Sequence, residues 1–180
     1  MAFDAFMKFT TSGTSASLDI EGETKDATAT GCLEISEFSF GVENTLNITS
    51  KSGGAGAGKA EFKEFNVTKQ TDSASPKLVL CCCLGGHYET VDLYLRKTGT
   101  TGTFTNLEED SYLAYQFKMV AVKSIEWAGS SGDDVPTENV VFEYGSIKMM
   151  YKPQDDVGNL LAPIPAMWSV VKNAQTQDVR

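Results

Sequence analysis

Apolar and polar residues alternate along much of the chain, and this period of two is typical of β-strands with one buried face. The clearest case runs from His87 to Arg96, where Val91, Leu93 and Leu95 share one phase and polar residues share the other. Strand patterns also cover residues 3–9, 31–42, 60–68, 112–127 and 139–151. The sequence therefore predicts a protein made mainly of β-strands.

Two of the predicted strands change phase partway along. In the second, the apolar residues switch phase between Ile35 and Phe38, so we expect a bulge or sharp bend near Ser36–Glu37. The last strand changes phase around Gly145, and a glycine inside a strand is typical of a bulge. The sequence SSGDD, at residues 130–134, is expected to join the last two strands as a hairpin.

One short helix is predicted among these strands. Ser75 is a suitable N-cap, Pro76 follows it in the first helical position, and Gly85 and Gly86 follow the last helical residue. The segment between them is about two turns long by the usual 3.6 residues per turn. The helix is therefore expected to interrupt the series of strands once.

Three of the four cysteines are adjacent, at Cys81, Cys82 and Cys83, inside this helix. Neighbouring cysteines rarely reach disulfide geometry, so the chain is expected in a reducing cytoplasm. Successive side chains on a helix point about 100° apart, so the three thiols cannot share one site, and at least one is expected to pack under the helix. With one histidine, His87, and no CxxC motif, no metal or other cofactor is predicted.

Together these elements predict an all-β fold, mainly β with one short helix, built as a β-barrel or a sandwich of two antiparallel sheets. A chain of 180 residues can bury a sizeable core, so residues 1–180 are interpreted as a single domain. Residues 43–59 are predicted as an extended loop with little structure of its own. Residues 152–180 are predicted as a C-terminal tail, and its apolar residues indicate that it docks on a surface.

The net charge of −9 argues against nucleic acids and anionic membranes as partners, because both attract basic surfaces. No apolar run approaches the roughly 18 residues of a membrane span. The first residues lack the basic and apolar regions of a signal peptide, so export by the general route is not expected. Export by a dedicated machine stays open.

A glycine-rich stretch, Gly53–Glu61, nearly matches a phosphate-binding loop. The match lacks its context, because a polar segment precedes it, a strand pattern follows it, and Ala60 replaces the required Ser or Thr. A long Gly/Ala-rich excursion is instead typical of a flexible segment that becomes ordered on a partner. The predicted interaction residues are Ser50, Lys51, Ser52, Gly53, Gly54, Gly56, Gly58 and Lys59.

No set of catalytic residues is recognisable. His87 has no partner that the pattern places beside it, and general acid–base chemistry needs positioned partners. The adjacent carboxylates Glu108–Glu109, Asp133–Asp134 and Asp155–Asp156 fall in predicted turns, where such pairs are usually solvated. The sequence therefore does not predict an enzyme.

Several segments, taken in order, resemble the haemolysin-coregulated protein (Hcp) family. They are Phe62–Lys69, Ser73–Leu78 followed by Gly85–Gly86, Pro136–Val140, Tyr151–Gly158 and the region of Trp168. The resemblance covers nearly the whole chain. The Gly/Ala-rich loop, the cysteine triplet and a polar first loop depart from the family's pattern.

The resemblance implies a structural subunit of the type VI secretion tube. It implies a homo-hexamer that joins sheets edge to edge, rings that stack through the extended loop, and partners that include a contractile sheath, a spike protein and small effectors in the lumen. It further implies a fold similar to phage tail-tube proteins, no catalysis, and a protein that is cytoplasmic before firing and then secreted without a signal peptide.

Three alternatives stay open at this point. A phage-like tail-tube protein would have nearly the same sequence features. A ligand-binding β-sandwich would need exposed aromatic residues, for which Tyr88, Tyr94 and Tyr112 are the candidates. An enzyme would need a C-terminal toxin domain, and the residues after Tyr151 are too few for one.

Overall fold

The computed structural model describes residues 3–11, 19–47, 56–97 and 106–180. In these residues it contains ten strands and two helices. The strands are β1 (Phe3–Thr10), β2 (Leu33–Glu34), β3 (Glu37–Ser39), β4 (Val42–Asn47), β5 (Gly56–Phe62), β6 (Phe65–Gln70), β7 (His87–Lys97), β8 (Leu113–Ala128), β9 (Thr137–Tyr151) and β10 (Ile164–Ser169). The helices are α1 (Ser75–Leu84) and α2 (Leu107–Asp110). The predicted mainly β fold is confirmed.

Eight strands form one antiparallel sheet, and seven of them follow the order β2-β1-β7-β8-β9-β6-β3. The eighth, β10, pairs with β9 along the part of its edge that β6 does not occupy. The first and last strands of this order, β2 and β3, are consecutive in the chain and are separated only by Ile35 and Ser36. The Ile35 N–H donates to the Ala5 carbonyl, and the Ser36 N–H donates to the Thr68 carbonyl. The sheet is therefore curled enough for the chain to pass from one edge strand, β2, to the other, β3, at this bend, and the bend predicted near Ser36–Glu37 is confirmed.

Three neighbouring strands, β7, β8 and β9, change phase at the same level of the sheet, and we call this level the corner. Core-facing residues on either side of it are spaced by three positions instead of two, as shown by the pairs Tyr88 and Val91, Phe117 and Val120, and Tyr144 and Ile147. The predicted change of phase around Gly145 is thus confirmed, whereas the bulge expected there is absent from the β8–β9 pairing. The β8–β9 register is the same on both sides of Gly145, because β8 changes phase at the facing residue, Met119, whose φ is 53°. The register shift in this pair lies elsewhere, between Val122 and Ser124.

The predicted helix is present, but its N-cap is Ala74 and makes no side-chain capping bond. Ser75 is instead the first helical residue, and its hydroxyl is used in a buried network described below. At the other end, Gly85 has the left-handed φ of 65° that favours glycine after a helix. Inside the helix Cys81 is buried, Cys82 is half-buried and Cys83 is exposed, as the 100° spacing predicted.

The sequence did not predict α2, which is a single turn. Asn106 caps it by accepting a hydrogen bond from the Glu108 N–H. Four residues are too few to show a helical period, so the apolar pattern contains no signal for it. Its one buried residue, Leu107, belongs to a small apolar cluster on the outer face of the sheet, with Phe6, Ala29, Cys32, Tyr94 and Ala114.

The main core fills the inside of the curled sheet, and aromatic rings occupy its centre. The Phe65 and Phe117 rings are stacked with centroids 4.4 Å apart, and the Phe40 ring meets Phe117 edge-on at 5.6 Å. Such pairs contribute about 0.5–1.5 kcal/mol each beyond the area that they bury. Leu78 and Cys81 of α1 are fully buried against this core, so the helix closes one end of it.

Strands β4 and β5 pair with each other in a separate two-stranded sheet. The pairing runs from Val42↔Phe62 to Asn47↔Gly56, with a register shift between Asn44 and Leu46. We call this β4–β5 hairpin the arm. The segment 43–59 was expected to have little structure of its own, and in its described part it is a hairpin instead. Glycine and alanine do not prevent this pairing, because the ladder uses only backbone groups.

The C-terminal tail docks on the body, as predicted. Its strand β10 pairs with β9 from Ile164↔Tyr151 to Ser169↔Ser146. The chain then continues over the corner, where the N–H groups of Val170 and Val171 both donate to the Gly145 carbonyl. A Cβ atom at position 145 would lie 3.0 Å from a methyl carbon of Val179, so the tail approaches this glycine closely.

Candidate assembly surfaces

The core face of the sheet extends past the core onto β9 and β10. Cross-strand partners share a face, and one row of partners on the core face runs Met7, Leu93, Tyr115, Met149 and Ala166. Burial decreases along it, from a fully buried Met7 to a Met149 that is 38% exposed. In the neighbouring row Tyr151 is 41% and Ile164 is 61% exposed. We call Met149, Tyr151, Ile164 and Ala166 the β9–β10 patch.

The same region contains an unpaired sheet edge. One edge of β10 pairs with β9, and along Ile164–Trp168 the other edge pairs with no strand in the described part of the chain. Free N–H and C=O groups at such an edge can accept another strand. The patch and this edge therefore form one surface that combines apolar side chains with backbone hydrogen-bonding groups.

The predicted interaction residues lie in the arm or beyond the described residues. Gly56, Gly58 and Lys59 belong to β5, and the Lys59 side chain is exposed. Ser50, Lys51, Ser52, Gly53 and Gly54 lie outside the described residues. Their role in assembly stays a prediction.

The base of the arm is fixed to the body. The Lys63 ammonium lies 3.2 Å from a Glu43 carboxylate oxygen, and the Lys63 N–H donates to the Gly41 carbonyl. The Tyr144 hydroxyl of β9 donates to the Lys63 carbonyl at 3.0 Å. These contacts set the direction in which the arm leaves the sheet.

Lys123 of β8 connects the arm base to α1. Its ammonium pairs with Glu64, next to the arm, and with Glu143 on β9. Its carbonyl accepts a hydrogen bond from the Cys82 thiol of α1 at 3.6 Å. The base of the arm and the C-terminal half of α1 therefore lie at the same end of the molecule.

A buried ionic network holds α1 against the sheet. The Lys69 ammonium donates to a Glu138 carboxylate oxygen at 2.8 Å, and the two side chains are 1% and 0% exposed. Ser75 donates to the same oxygen, and the Trp127 indole N–H donates to the other one at 3.0 Å. The Lys69 ammonium also donates to Asp72 at 2.8 Å. Sequence reasoning missed this network, although Lys69, Ser75 and Glu138 all lie in the segments that carried the family resemblance.

A second ionic cluster fixes the long first loop to the sheet. The Arg96 guanidinium donates to Asp26 at 2.6 Å and to Asp4 at 3.2 Å. The hydrogen bond from Arg96, supported by Thr28, holds the pKa of Asp26 well below its usual range. These bonds hold the loop on the sheet through polar side chains, so the loop does not need apolar residues to stay in place.

The candidates for other functions do not come together. Tyr88 is fully buried, Tyr94 nearly so and Tyr112 half-buried, so the three do not form the exposed aromatic face that a carbohydrate module would need. Asp155 accepts hydrogen bonds within its own turn, from Asn159 and Val157. Among the described residues, no three His, Cys, Asp or Glu side chains are grouped to hold a metal ion. Neither helix in this part of the chain has the length and apolar run for a membrane crossing.

The fold and its surfaces define a class of protein, a β-sheet protein suited to assembly. Its curled antiparallel sheet is closed at one end by a helix, and apolar side chains of the core face are exposed beside a strand edge that no described strand pairs with. The chain matches the family model described as "Type VI secretion system effector, Hcp" over residues 6–151. It belongs to the Hcp family of type VI secretion tube proteins.

Individual relatives agree with this assignment. The chain is 31% identical over 176 residues to Protein hcp1 of Pseudomonas aeruginosa strain PAO1, covering 97% of this chain and 99% of that protein. A solved structure described as a type six secretion system protein has a TM-score of 0.84 and 28% identity, covering 97% of this chain and all of that one. Hcp1 from Salmonella typhimurium shares the fold, with a TM-score of 0.72, 23% identity and coverage of 98% of this chain and 100% of that one.

Proposed function

We propose that this chain is a ring-forming subunit of the secretion tube and that the β9–β10 patch joins neighbouring subunits. The observation that carries the proposal is the outward extension of the core face, where Ile164 is 61% exposed next to a free strand edge. Membership of the Hcp family supports it and sets the expected ring at six subunits. The whole chain, residues 1–180, would act as one structural unit.

The size of the patch indicates how the contact would be made. A stable interface buries about 800 Å² per partner, which four side chains alone do not supply. The backbone edge of β10 would have to take part as well, by pairing with a strand of the next subunit. One subunit would then offer its β10 edge and the next a different surface, and such head-to-tail contacts close into a ring when the rotation allows it.

Stacking and export complete the proposal. The arm, with Ser50–Gly54, Gly56, Gly58 and Lys59, would contact the next ring. The resulting tube would be enclosed by a contractile sheath, carry a spike protein and hold small effectors in its lumen. The protein would be cytoplasmic before firing and secreted afterwards without a signal peptide, and it would act as a structural component with no catalysis, nucleic-acid binding or membrane insertion.

Light scattering on a sizing column tests the ring. We expect the wild-type protein to have a mass of about six subunits and the Ile164→Asp variant to be monomeric, because a buried unpaired carboxylate costs several kcal/mol. Val42→Asp is the matched control, since Val42 is 60% exposed and belongs to the arm base, which is not part of the patch. A monomeric wild type at all concentrations, or a hexameric Ile164→Asp variant, would contradict the proposal.

A further inference from the structure

The outward face of α1 is apolar. Its exposed residues are Pro76, Leu80, Cys83 and Leu84, with Leu80 52% and Leu84 71% exposed. Their spacing of four, three and one positions places them along one side of the helix. A surface helix normally presents polar residues to water. This stripe, which we call the α1 ridge, is instead an apolar surface that no other described residue of the chain buries.

The ridge is suited to contact between copies of this chain. The only charged residue in α1 is Lys77, and its ammonium donates to the Asp19 carbonyl. The whole chain has a net charge of −9, so most pairings between two copies bring carboxylates together. A surface without carboxylates avoids that repulsion and gains from apolar burial.

A second exposed apolar residue lies at the opposite end of the molecule. Val157 is 79% exposed at the tip of the turn that follows β9. Asp155 fixes this turn by accepting hydrogen bonds from the N–H groups of Val157 and Asn159. We call residues 153–161 the Val157 turn.

Strand β7 connects the two surfaces. Its first residue, His87, follows α1 after Gly85 and Gly86, and the ammonium of its last residue, Lys97, donates to Gln154 of the Val157 turn at 2.6 Å. Beyond the corner, the seven residues Val91–Lys97 of antiparallel strand span about 24 Å. The ridge and the turn are therefore at opposite ends of the sheet, and the arm base lies at the ridge end.

We infer that the α1 ridge of one subunit receives the Val157 turn of a subunit in the adjacent ring. Two different surfaces at opposite ends generate a head-to-tail stack, which can continue indefinitely along one axis. The arm would leave from the ridge end and cross the same ring-to-ring junction. This inference rests on the proposed function, since it requires rings that stack.

Thiol cross-linking tests the contact, because Cys83 is an exposed member of the ridge. We would prepare tubes and single rings of the Val157→Cys variant, treat both with a mild oxidant, and look for disulfide-linked oligomers on a denaturing gel. The matched control adds Cys83→Ser to Val157→Cys. We expect linked oligomers from tubes only, and none when Cys83 is absent.

The rate at which a maleimide labels Cys83 in the wild-type protein gives a second measure. The inference predicts at least tenfold slower labelling in bare tubes than in single rings. Tubes that form without cross-links and with unchanged Cys83 labelling would overturn the inference and leave the proposed function intact. Protection of Cys83 only after a sheath is added would also overturn it. Failure to form rings at all would instead contradict the proposed function.

Discussion

Lys69 and Glu138 make a charge-assisted hydrogen bond of 2.8 Å where neither side chain reaches solvent. Removing two charges from water costs several kcal/mol per ion, and mutual attraction offsets this cost only when further hydrogen bonds satisfy both groups. Here Asp72, Ser75 and Trp127 supply those bonds. The network therefore fixes the position of α1 relative to β6 and β9, more than it adds net stability.

Removing only one member of the Lys69–Glu138 pair should lower stability more than the loss of both charges would suggest. Lys69→Met leaves a buried carboxylate without its counter-charge and should lower the free energy of unfolding by about 3–5 kcal/mol. The double variant Lys69→Met/Glu138→Leu should lose less than the sum of the single changes. Urea unfolding followed by tryptophan fluorescence measures this, since the Trp127 indole donates to Glu138.

The matched control for this change is Lys63→Met. It breaks the exposed Lys63–Glu43 pair, whose side chains are 64% and 60% exposed, and should cost at most about 1 kcal/mol. Equal losses for Lys63→Met and Lys69→Met would show that the buried network has no special role. All variants must be compared at one protein concentration, because assembly adds to apparent stability.

Two aspartates should affect acid stability in opposite directions. Arg96 depresses the pKa of Asp26 in the folded protein, so the stabilisation from Asp26 is present above the unfolded pKa of about 3.9 and is lost as the pH falls below it. Burial raises the pKa of Asp92, so that carboxylate destabilises the fold at neutral pH and the penalty disappears at low pH.

Unfolding measured from pH 7 to pH 2 checks both effects. Asp26→Asn should be less stable than wild type at pH 7, and the difference should shrink below about pH 4. Asp92→Asn should be at least as stable as wild type at pH 7, because an asparagine oxygen can still accept the hydrogen bond from Gln116. If the stability of both variants relative to wild type changed with pH in the same direction, the assigned causes of the two pKa shifts would be contradicted.

At the scale of elements, the close approach of the tail to Gly145 has a testable consequence. A Cβ atom there would lie 3.0 Å from Val179, 3.2 Å from Met119 and 3.3 Å from Val171, so Gly145→Ala should push the tail outward. Overpacking of this kind typically costs about 1–3 kcal/mol. Amide hydrogen exchange of Val170 and Val171, whose N–H groups donate to the Gly145 carbonyl, should become faster.

Gly41→Ala is the control for this variant, because the added carbon would meet only the flexible end of Lys63 at 3.6 Å. Its exchange at Val170 and Val171 should match the wild type. Unchanged exchange in Gly145→Ala would mean that the tail adjusts without loosening.

The elements that the sequence predicted are those with a local signal. Alternation predicted β1, β7, β8 and β9, and the change of phase at Gly145 was predicted on one strand, although as a bulge. The sequence did not predict that β8 would change phase at Met119, opposite Gly145. That match depends on β8 and β9 being neighbours in the sheet. Sequence reasoning also missed the pairing within the arm, since glycine and alanine provide no apolar period although their backbone groups can form a ladder.

The candidate surfaces were less predictable than the fold. The β9–β10 patch consists of residues that alternate like any half-buried strand, and only the sheet order shows that no strand in the described part of the chain covers them. The same holds for Lys69 and Glu138, which are 69 positions apart and read singly as surface charges. Family resemblance indicated that these segments matter, without giving the contact between them.

At the scale of the whole molecule, the arm should separate ring formation from stacking. Deleting Gly53–Gly58 removes the first three residues of β5 but keeps the pairs Val42↔Phe62, Glu43↔Glu61 and Asn44↔Ala60 at its base. We expect the variant to fold and to form rings of unchanged mass, but to give much shorter tubes by electron microscopy. Tubes of wild-type length would exclude a stacking role for these residues.

The order of strands in the sheet also sets the order in which the molecule can fold. Strands β8 and β9 are joined by a short turn, and Trp127 and Glu138 across that hairpin are only 11 positions apart. Asp4 and Arg96, which join β1 to β7, are 92 positions apart. Because a distant pairing loses more chain entropy before it gains contacts, the β8–β9 hairpin should nucleate folding and β1 should join late. Until then the open edge of β7 is exposed, and newly made chains are most prone to aggregate during that interval.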